Sequence, residues 1–97
     1  MNRVILKACL IGKEPLRYTL NGVAICSCKL AYEGQVKEAG ILRKLKFSTE
    51  CVALGSVAEQ LNQEELGSDL SITGFLVPSS PRTSKLVVHI TEYKKGV

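Results

Sequence analysis

Lys44 and Lys46, two lysines at alternate positions, are the residues whose type and spacing first indicate a chemistry. They lie in the stretch Ile41–Phe47, which reads as a β-strand. Side chains of a strand alternate between its faces, so Leu45 and Phe47 are predicted to enter a core while the two lysines stand together in water. Two ammonium groups on an open sheet face can bind an extended polyanion. Considered alone, however, this strand favours a solvated face that binds nothing.

Charge is distributed unevenly along these 97 residues, whose net charge is +4. Residues 52–78 carry a net charge of −4 and contain no Lys or Arg, whereas residues 1–51 and 79–97 carry +5 and +3. This segregation predicts one basic surface and one acidic end. Such a surface fits an anionic partner on one side of the molecule better than it fits a uniformly solubilised protein.

The composition is that of a folded soluble protein, with 45% apolar and 23% charged residues. The length predicts a single domain that spans residues 1–97. No apolar run approaches the roughly 20 residues of a membrane span. A strand-like pattern begins at Val4, which leaves no room for a signal peptide. We therefore expect a cytoplasmic protein.

The four cysteines, Cys9, Cys26, Cys28 and Cys51, do not have the spacing of a zinc site, and the single histidine is far from them. We expect buried, reduced thiols rather than a metal site or a disulfide, and no cofactor. No histidine stands beside a plausible nucleophile, and the sequence has no glycine-rich phosphate loop and no carboxylate pair in a basic cleft. We therefore expect a protein that is not an enzyme.

Alternating apolar residues predict five strands, which are Val4–Ile11, Val23–Tyr32, Ile41 to about Cys51, Ser68–Val77 and Lys85–Tyr93. The pair Asn21-Gly22 predicts a hairpin before the second strand. The polar segment Gly34–Gly40 is expected to form a long, mobile loop. Ser56 and Glu59 have the spacing of a capping box, which predicts a short helix after the third strand.

Alternation along the last strand predicts that three apolar residues face inward, namely Leu86, Val88 and Ile90. Val87 and His89 are then predicted to face outward, and Gly74 predicts a bulge in the fourth strand. Together with Ile25 and Leu42, Val87 would leave apolar spots on the outside, which a small protein rarely exposes without a partner. We therefore expect a homodimer.

Three strands, a short helix and two more strands are the element order of a five-stranded OB barrel, an all-β fold whose helix lies between strands three and four. Its outer faces on strands two and three, with two flanking loops, bind single-stranded nucleic acid or oligosaccharide. The basic residues fall on these parts, with Lys29, Lys44 and Lys46 on the faces, Lys13 and Arg17 on the first loop, and Arg82 and Lys85 on the last. Tyr18, also on the first loop, either stacks on a base or packs across the barrel mouth.

The segment Pro15–Ala24 resembles the bacterial single-stranded DNA-binding protein superfamily. Four further segments resemble more particularly its PriB (primosomal replication protein N) family, namely Glu38-Ala39-Gly40, Ala53-Leu54-Gly55, Gly74-Phe75-Leu76 and Leu86-Val87-Val88-His89-Ile90. The resemblance covers nearly the whole chain and implies a homodimeric OB-fold accessory protein of replication restart. The partners that it implies are single-stranded DNA, the PriA helicase and a DnaT-like primosome component.

By position, the resemblance implies binding residues at Arg17, Ile41, Lys46, Arg82 and Lys85, with His89 nearby. By the same resemblance, Lys46 stands where the best-known family member offers an aromatic platform. Stacking is worth about 1–3 kcal/mol per base, so we expect weaker or more purely electrostatic binding. The complete candidate set for nucleic-acid binding is Arg17, Tyr18, Lys29, Ile41, Lys44, Lys46, Arg82, Lys85 and His89. The alternatives are a general single-stranded DNA or RNA module and a protein-docking OB domain outside the primosome.

Overall fold

Five long strands curl into a barrel, and a short helix follows the third of them. The computed structural model describes residues 1–96. Its elements are β1 (Val4–Lys13), β2 (Arg17–Tyr18), β3 (Ala24–Glu38), β4 (Ile41–Leu54), α1 (Ser56–Asn62), β5 (Asp69–Pro78) and β6 (Leu86–Lys95). The strand order is β1-β5-β6-β4-β3-β2, and pairing of β1 with β3 closes the barrel. β4 and β6 are parallel, and every other pair is antiparallel. The predicted five-stranded barrel with a helix between its third and fourth long strands is confirmed.

The barrel interior is narrow because small residues fill many of its inward positions. On β3 these are Ala24, Cys26 and Cys28, and on β4 they are Cys51 and Ala53, all buried. The three thiols are free, and burial raises the pKa of Cys26, which keeps it protonated. Cys9, also free, is half-buried. The expectation of reduced, largely buried thiols is confirmed.

β3 and β4 extend beyond the barrel as a hairpin that we call the arm, residues 34–45. The expected loop Gly34–Gly40 is wrong, because β3 continues to Glu38 and β4 begins at Ile41. The two-residue turn consists of Ala39 and Gly40, with φ angles of 51° and 79°. Two positive φ angles give a hairpin turn whose twist matches that of the strands. The alternation of residues 34–38 was not visible in the sequence because both faces of this half of the arm are largely solvated.

Phe47 does not enter the core as expected, because the arm carries this part of β4 away from the barrel. Its side chain is 44% exposed, and its ring packs against Tyr32 with the centroids 5.1 Å apart. Leu45 is half-buried. The inward parity of these residues was predicted correctly, but the barrel's inner layer begins further along β4, at Cys51.

Helix α1 begins one residue earlier than a Ser56 cap requires. Gly55, with φ of 72°, is the N-cap residue, and the helix has no side-chain cap, so the expected capping box is wrong. At the C-terminal end of the helix the ammonium of Lys13 donates to the carbonyls of Asn62 (2.8 Å) and Glu64 (2.5 Å). Lys13 therefore lies at the end of β1 and fastens the helix, instead of joining a binding loop. Among residues 1–96, no helix is long and apolar enough to cross a membrane.

β5 and β6 pair with a one-residue irregularity at the predicted position. Thr73 faces Glu92 whereas Gly74 faces Ile90, so the extra residue is Thr91 of β6. The predicted bulge occurs at Gly74, but the bulged strand is β6 and not, as expected, the strand that contains Gly74. Two residues at the start of β6 differ from the expected burial. Leu86, expected inward, is 50% exposed because the start of β6 lies beyond the end of the barrel core. Val87 has the outward parity of His89, as predicted, but is only 8% exposed and lies outside the core cluster.

Candidate nucleic-acid interface

The outward side of β3 and β4 forms one continuous surface, which we call the open face. It consists of the odd-numbered residues 25–37 of β3 and the even-numbered residues 42–54 of β4, because the residues between them on the barrel point into its core. Directly opposed pairs on this face are Lys29 with Glu50, Glu33 with Lys46, Gln35 with Lys44, and Lys37 with Leu42. The open face therefore contains cations along most of its length.

Three lysines occupy neighbouring outward positions where the open face continues onto the arm. Lys37, Lys44 and Lys46 are exposed, and none of them forms an ion pair with any residue of the described chain. Sequence reasoning missed Lys37 because it placed this residue in a loop. Lys37 has the same parity as Lys29, so alternation would have placed it on the open face if the predicted strand had extended to the turn.

Two carboxylates interrupt the basic surface, and sequence reasoning did not consider them. Glu33 lies directly opposite Lys46. Glu50 lies opposite Lys29, and its Oε2 is 2.6 Å from Nζ of Lys85. The hydrogen bond and the charge of Lys85 hold the pKa of Glu50 below its usual range. One end of the open face is thus partly neutralised by the protein itself.

Arg17 borders the open face, whereas its neighbour Tyr18 does not share its side of the strand. Arg17 pairs with Ile25, and its guanidinium donates to Oγ of Ser27 at 3.3 Å. Tyr18 has the parity of the buried Ala24 but is 61% exposed, so it does not pack across the barrel mouth. The predicted Asn21-Gly22 hairpin joins β2 to β3, with only the glycine at positive φ.

The remaining candidates divide between the barrel surface and the periphery. His89 is half-buried beside Val52 on the outside of the barrel, with its ring 5.2 Å from that of Phe75, which also faces outward. Arg82 is exposed in the loop 79–85, and Lys85 lies at the end of that loop. Ile41 is 66% exposed near the turn of the arm, but on the side opposite Lys44 and Lys46.

The structure therefore assembles most, but not all, of the predicted site. One continuous outer surface contains Arg17, Lys29, Lys44, Lys46, Lys85 and His89. Tyr18 and Ile41 lie on the other parity of their strands. The outward positions of β3 and β4 hold no aromatic residue, so the only aromatic rings of the outer barrel surface near them are those of His89 and Phe75 within the described residues.

A groove of about 750 Å³ lies on the other side of the arm, where β1 and β3 separate. β1 pairs with β5 through Val4–Cys9, but with β3 only from Cys9 onward. One edge of β1 between Val4 and Ala8 therefore has no strand beside it among residues 1–96. The groove is lined by Lys7 and Ile11 of β1 and by Tyr32 and Phe47 at the base of the arm, among others.

Comparison with known proteins places this geometry in a family. A family model described as "Another single-strand binding protein family" matches residues 2–92. The Replication restart protein PriB of Nitrosomonas europaea is 32% identical over 94% of this chain and 84% of its own length. PriB of Bordetella pertussis is 30% identical over 98% and 89%.

Solved structures agree with these relatives. The crystal structure of priB from Ralstonia solanacearum superimposes with a TM-score of 0.88 at 38% identity, covering 99% of both chains. The single-stranded DNA binding protein of Thermus aquaticus shares the fold with a TM-score of 0.78 at 23% identity, and this chain spans 50% of it. The chain belongs to the PriB family of single-strand binding proteins.

Proposed function

We propose that this protein binds single-stranded DNA on the open face as an accessory factor of replication restart in the cytoplasm. The observation that carries the proposal is the row formed by Lys37, Lys44 and Lys46, with Arg17 and Lys29 further along the same surface. Membership of the PriB family supports it, since relatives from two genera are named replication restart proteins. We further propose contacts with a PriA helicase and a DnaT-like primosome component.

The proposed mechanism is electrostatic. Lys44 and Lys46 are two residues apart on a strand, so their side chains emerge about 7 Å apart along it. Ammonium groups at such intervals can contact successive backbone phosphates and release the counterions condensed on them. Contacts of this kind fix the position of the strand without reading its sequence. His89 and Phe75 are the rings available to a base from the neighbouring strands.

Substitution of Lys46 tests this proposal. Lys46→Ala removes one proposed phosphate contact, and we expect binding of oligo-dT to weaken about fivefold at about 0.1 M salt. Fluorescence anisotropy of a labelled oligonucleotide measures the dissociation constant. Lys94→Ala is the matched control, because Lys94 is exposed on β6 and makes no ion pair with a described residue. Wild-type affinity in a Lys44→Ala/Lys46→Ala double variant would refute the assignment.

The helicase contact requires a separate experiment, because a general single-strand module would bind DNA equally well. We expect the immobilised protein to retain a PriA-type helicase, and to retain more of it in the presence of a forked DNA with a single-stranded arm. Retention of oligonucleotide without any retention of helicase would favour the general module instead.

A further inference from the structure

Glu50 is one of two acidic residues on the open face, and it is the one that forms an ion pair. It lies opposite Lys29, and its carboxylate is 2.6 Å from the ammonium of Lys85. The side chains of Lys85 and Glu50 remain 62% and 53% exposed, so this ion pair forms in water. Among residues 1–96, Lys85 is the only ion-pair partner of this carboxylate.

We propose that the Glu50 carboxylate occupies the place of a nucleic-acid phosphate and holds Lys85 in an autoinhibitory contact. The inference rests on the proposed function. A bound strand can contact Lys85 only by taking it from Glu50, and the phosphate must then lie beside a carboxylate of its own sign. Because solvated ion pairs are weak, the exchange is accessible, but Lys85 contributes less than an unpaired lysine would.

The backbone of Lys85 closes the loop 79–85 independently of Glu50. The Lys85 carbonyl accepts from the Ser79 N–H at 2.8 Å, and its own N–H donates to Oγ1 of Thr83 at 3.0 Å. Exchange of the carboxylate for a phosphate therefore needs only a movement of the Lys85 side chain, while the loop end stays in place.

Glu50→Gln tests the inference, since glutamine keeps the shape of the side chain and removes its charge. A released Lys85 adds one phosphate contact, so we expect oligo-dT to bind about eightfold more tightly at about 50 mM salt and about threefold more tightly at about 200 mM. The plot of log K against log salt should steepen by about 0.7. Circular dichroism verifies that the variant is folded.

Two matched variants separate this effect from a change in net charge. Glu65→Gln removes a charge from the acidic end, where Glu65 is exposed, and should leave the salt slope unchanged. Glu33→Gln removes a carboxylate that lies on the open face without an ion pair to any described residue. It should also leave the slope unchanged, because it releases no cation.

The double variant Glu50→Gln/Lys85→Ala completes the test. We expect it to lose the tighter binding of Glu50→Gln, because that gain comes through Lys85. The inference is overturned if Glu50→Gln binds no more tightly than Glu65→Gln, or if the gain persists without Lys85. A wild-type protein that binds no oligonucleotide at all would instead overturn the proposed function, so the two failures are distinguishable.

Discussion

The side chain of Tyr93 links β6 of the barrel to Glu64, which lies in the segment after helix α1. Its hydroxyl donates to Oε2 of Glu64 at 2.7 Å, and Nζ of Lys95 lies 3.7 Å from the other carboxylate oxygen. Burial, followed by the hydrogen bond and the charge of Glu64, raises the pKa of Tyr93 to about 12. The folded state therefore favours the protonated phenol.

This shift predicts a pH dependence of stability. Because the pKa rises on folding, the contribution of Tyr93 is complete below its ordinary pKa of 10.0 and is lost as the pH rises to about 12. Tyr93→Phe should lower the free energy of unfolding by about 1 kcal/mol at neutral pH, through loss of the hydrogen bond. It should also make the decline above pH 10 shallower. Urea unfolding at several pH values measures both, and an equally steep decline in Tyr93→Phe would contradict the assignment.

At single positions, the sequence predicted the orientation of a side chain wherever alternation along the strand was sufficient to determine it. The outward orientation of Lys29, Lys44 and Lys46 followed from alternation alone. Glu50 shares the parity of the two lysines on its own strand and was equally accessible to that reasoning. Its ion pair with Lys85 was not, because it depends on parallel pairing of β4 and β6, which lie far apart in sequence.

Among the elements, the β5–β6 pair depends on a glycine at its bulge. A Cβ atom on Gly74 would lie 1.9 Å from the carbonyl oxygen of His89. Gly74→Ala must therefore displace the backbone of β6, and we expect a loss of about 2 kcal/mol or more in the free energy of unfolding. Chemical denaturation measures this loss.

Gly12 provides the matched comparison for this prediction. A Cβ atom there would lie 3.6 Å from Cβ of Lys29, an ordinary contact, and Gly12 has no positive φ angle. Gly12→Ala should therefore change stability far less than Gly74→Ala. Equal effects of the two substitutions would show that the close approach of the β6 backbone is not the reason why position 74 requires glycine.

The elements that were predicted correctly are those with one dry face. β1, β5 and the barrel part of β3 alternate visibly because their inward residues are buried. The β3 half of the arm has no such signal, since even Val36 is exposed there. The N-cap residue of helix α1 is Gly55, which has a positive φ angle. The sequence predicted the cap one residue later because Ser56 is a common N-cap residue.

For the whole molecule, the order of the elements was sufficient to predict the barrel topology. The unpaired edge of β1 could be identified only from the structure. We propose that a homodimer forms when the unpaired edge of β1 meets the same edge of a second copy. Antiparallel pairing of one strand with its own copy satisfies a two-fold axis, and it would hydrogen-bond an edge that is otherwise exposed. The side chain of Ile5, which is 67% exposed on this strand, would be partly buried by the second copy.

The dimer makes a prediction about mass. Light scattering at micromolar concentration should give twice the chain mass of 10.6 kDa. Ile5→Glu places a charge at the proposed contact and should shift the protein toward the monomer. Leu66→Glu, at another exposed apolar residue, should leave the mass of the dimer unchanged. A wild-type monomer at this concentration would contradict the proposed interface.

The salt dependence of oligo-dT binding by the unaltered protein tests the central claim most directly. If Arg17, Lys37, Lys44 and Lys46 each contact a phosphate, log K should fall linearly with log salt between about 50 and 200 mM, with a slope of about −3. Fluorescence anisotropy titrations at four or more salt concentrations measure it. A slope near zero, or no binding at the lowest salt, would contradict the account of the open face as a phosphate-binding surface.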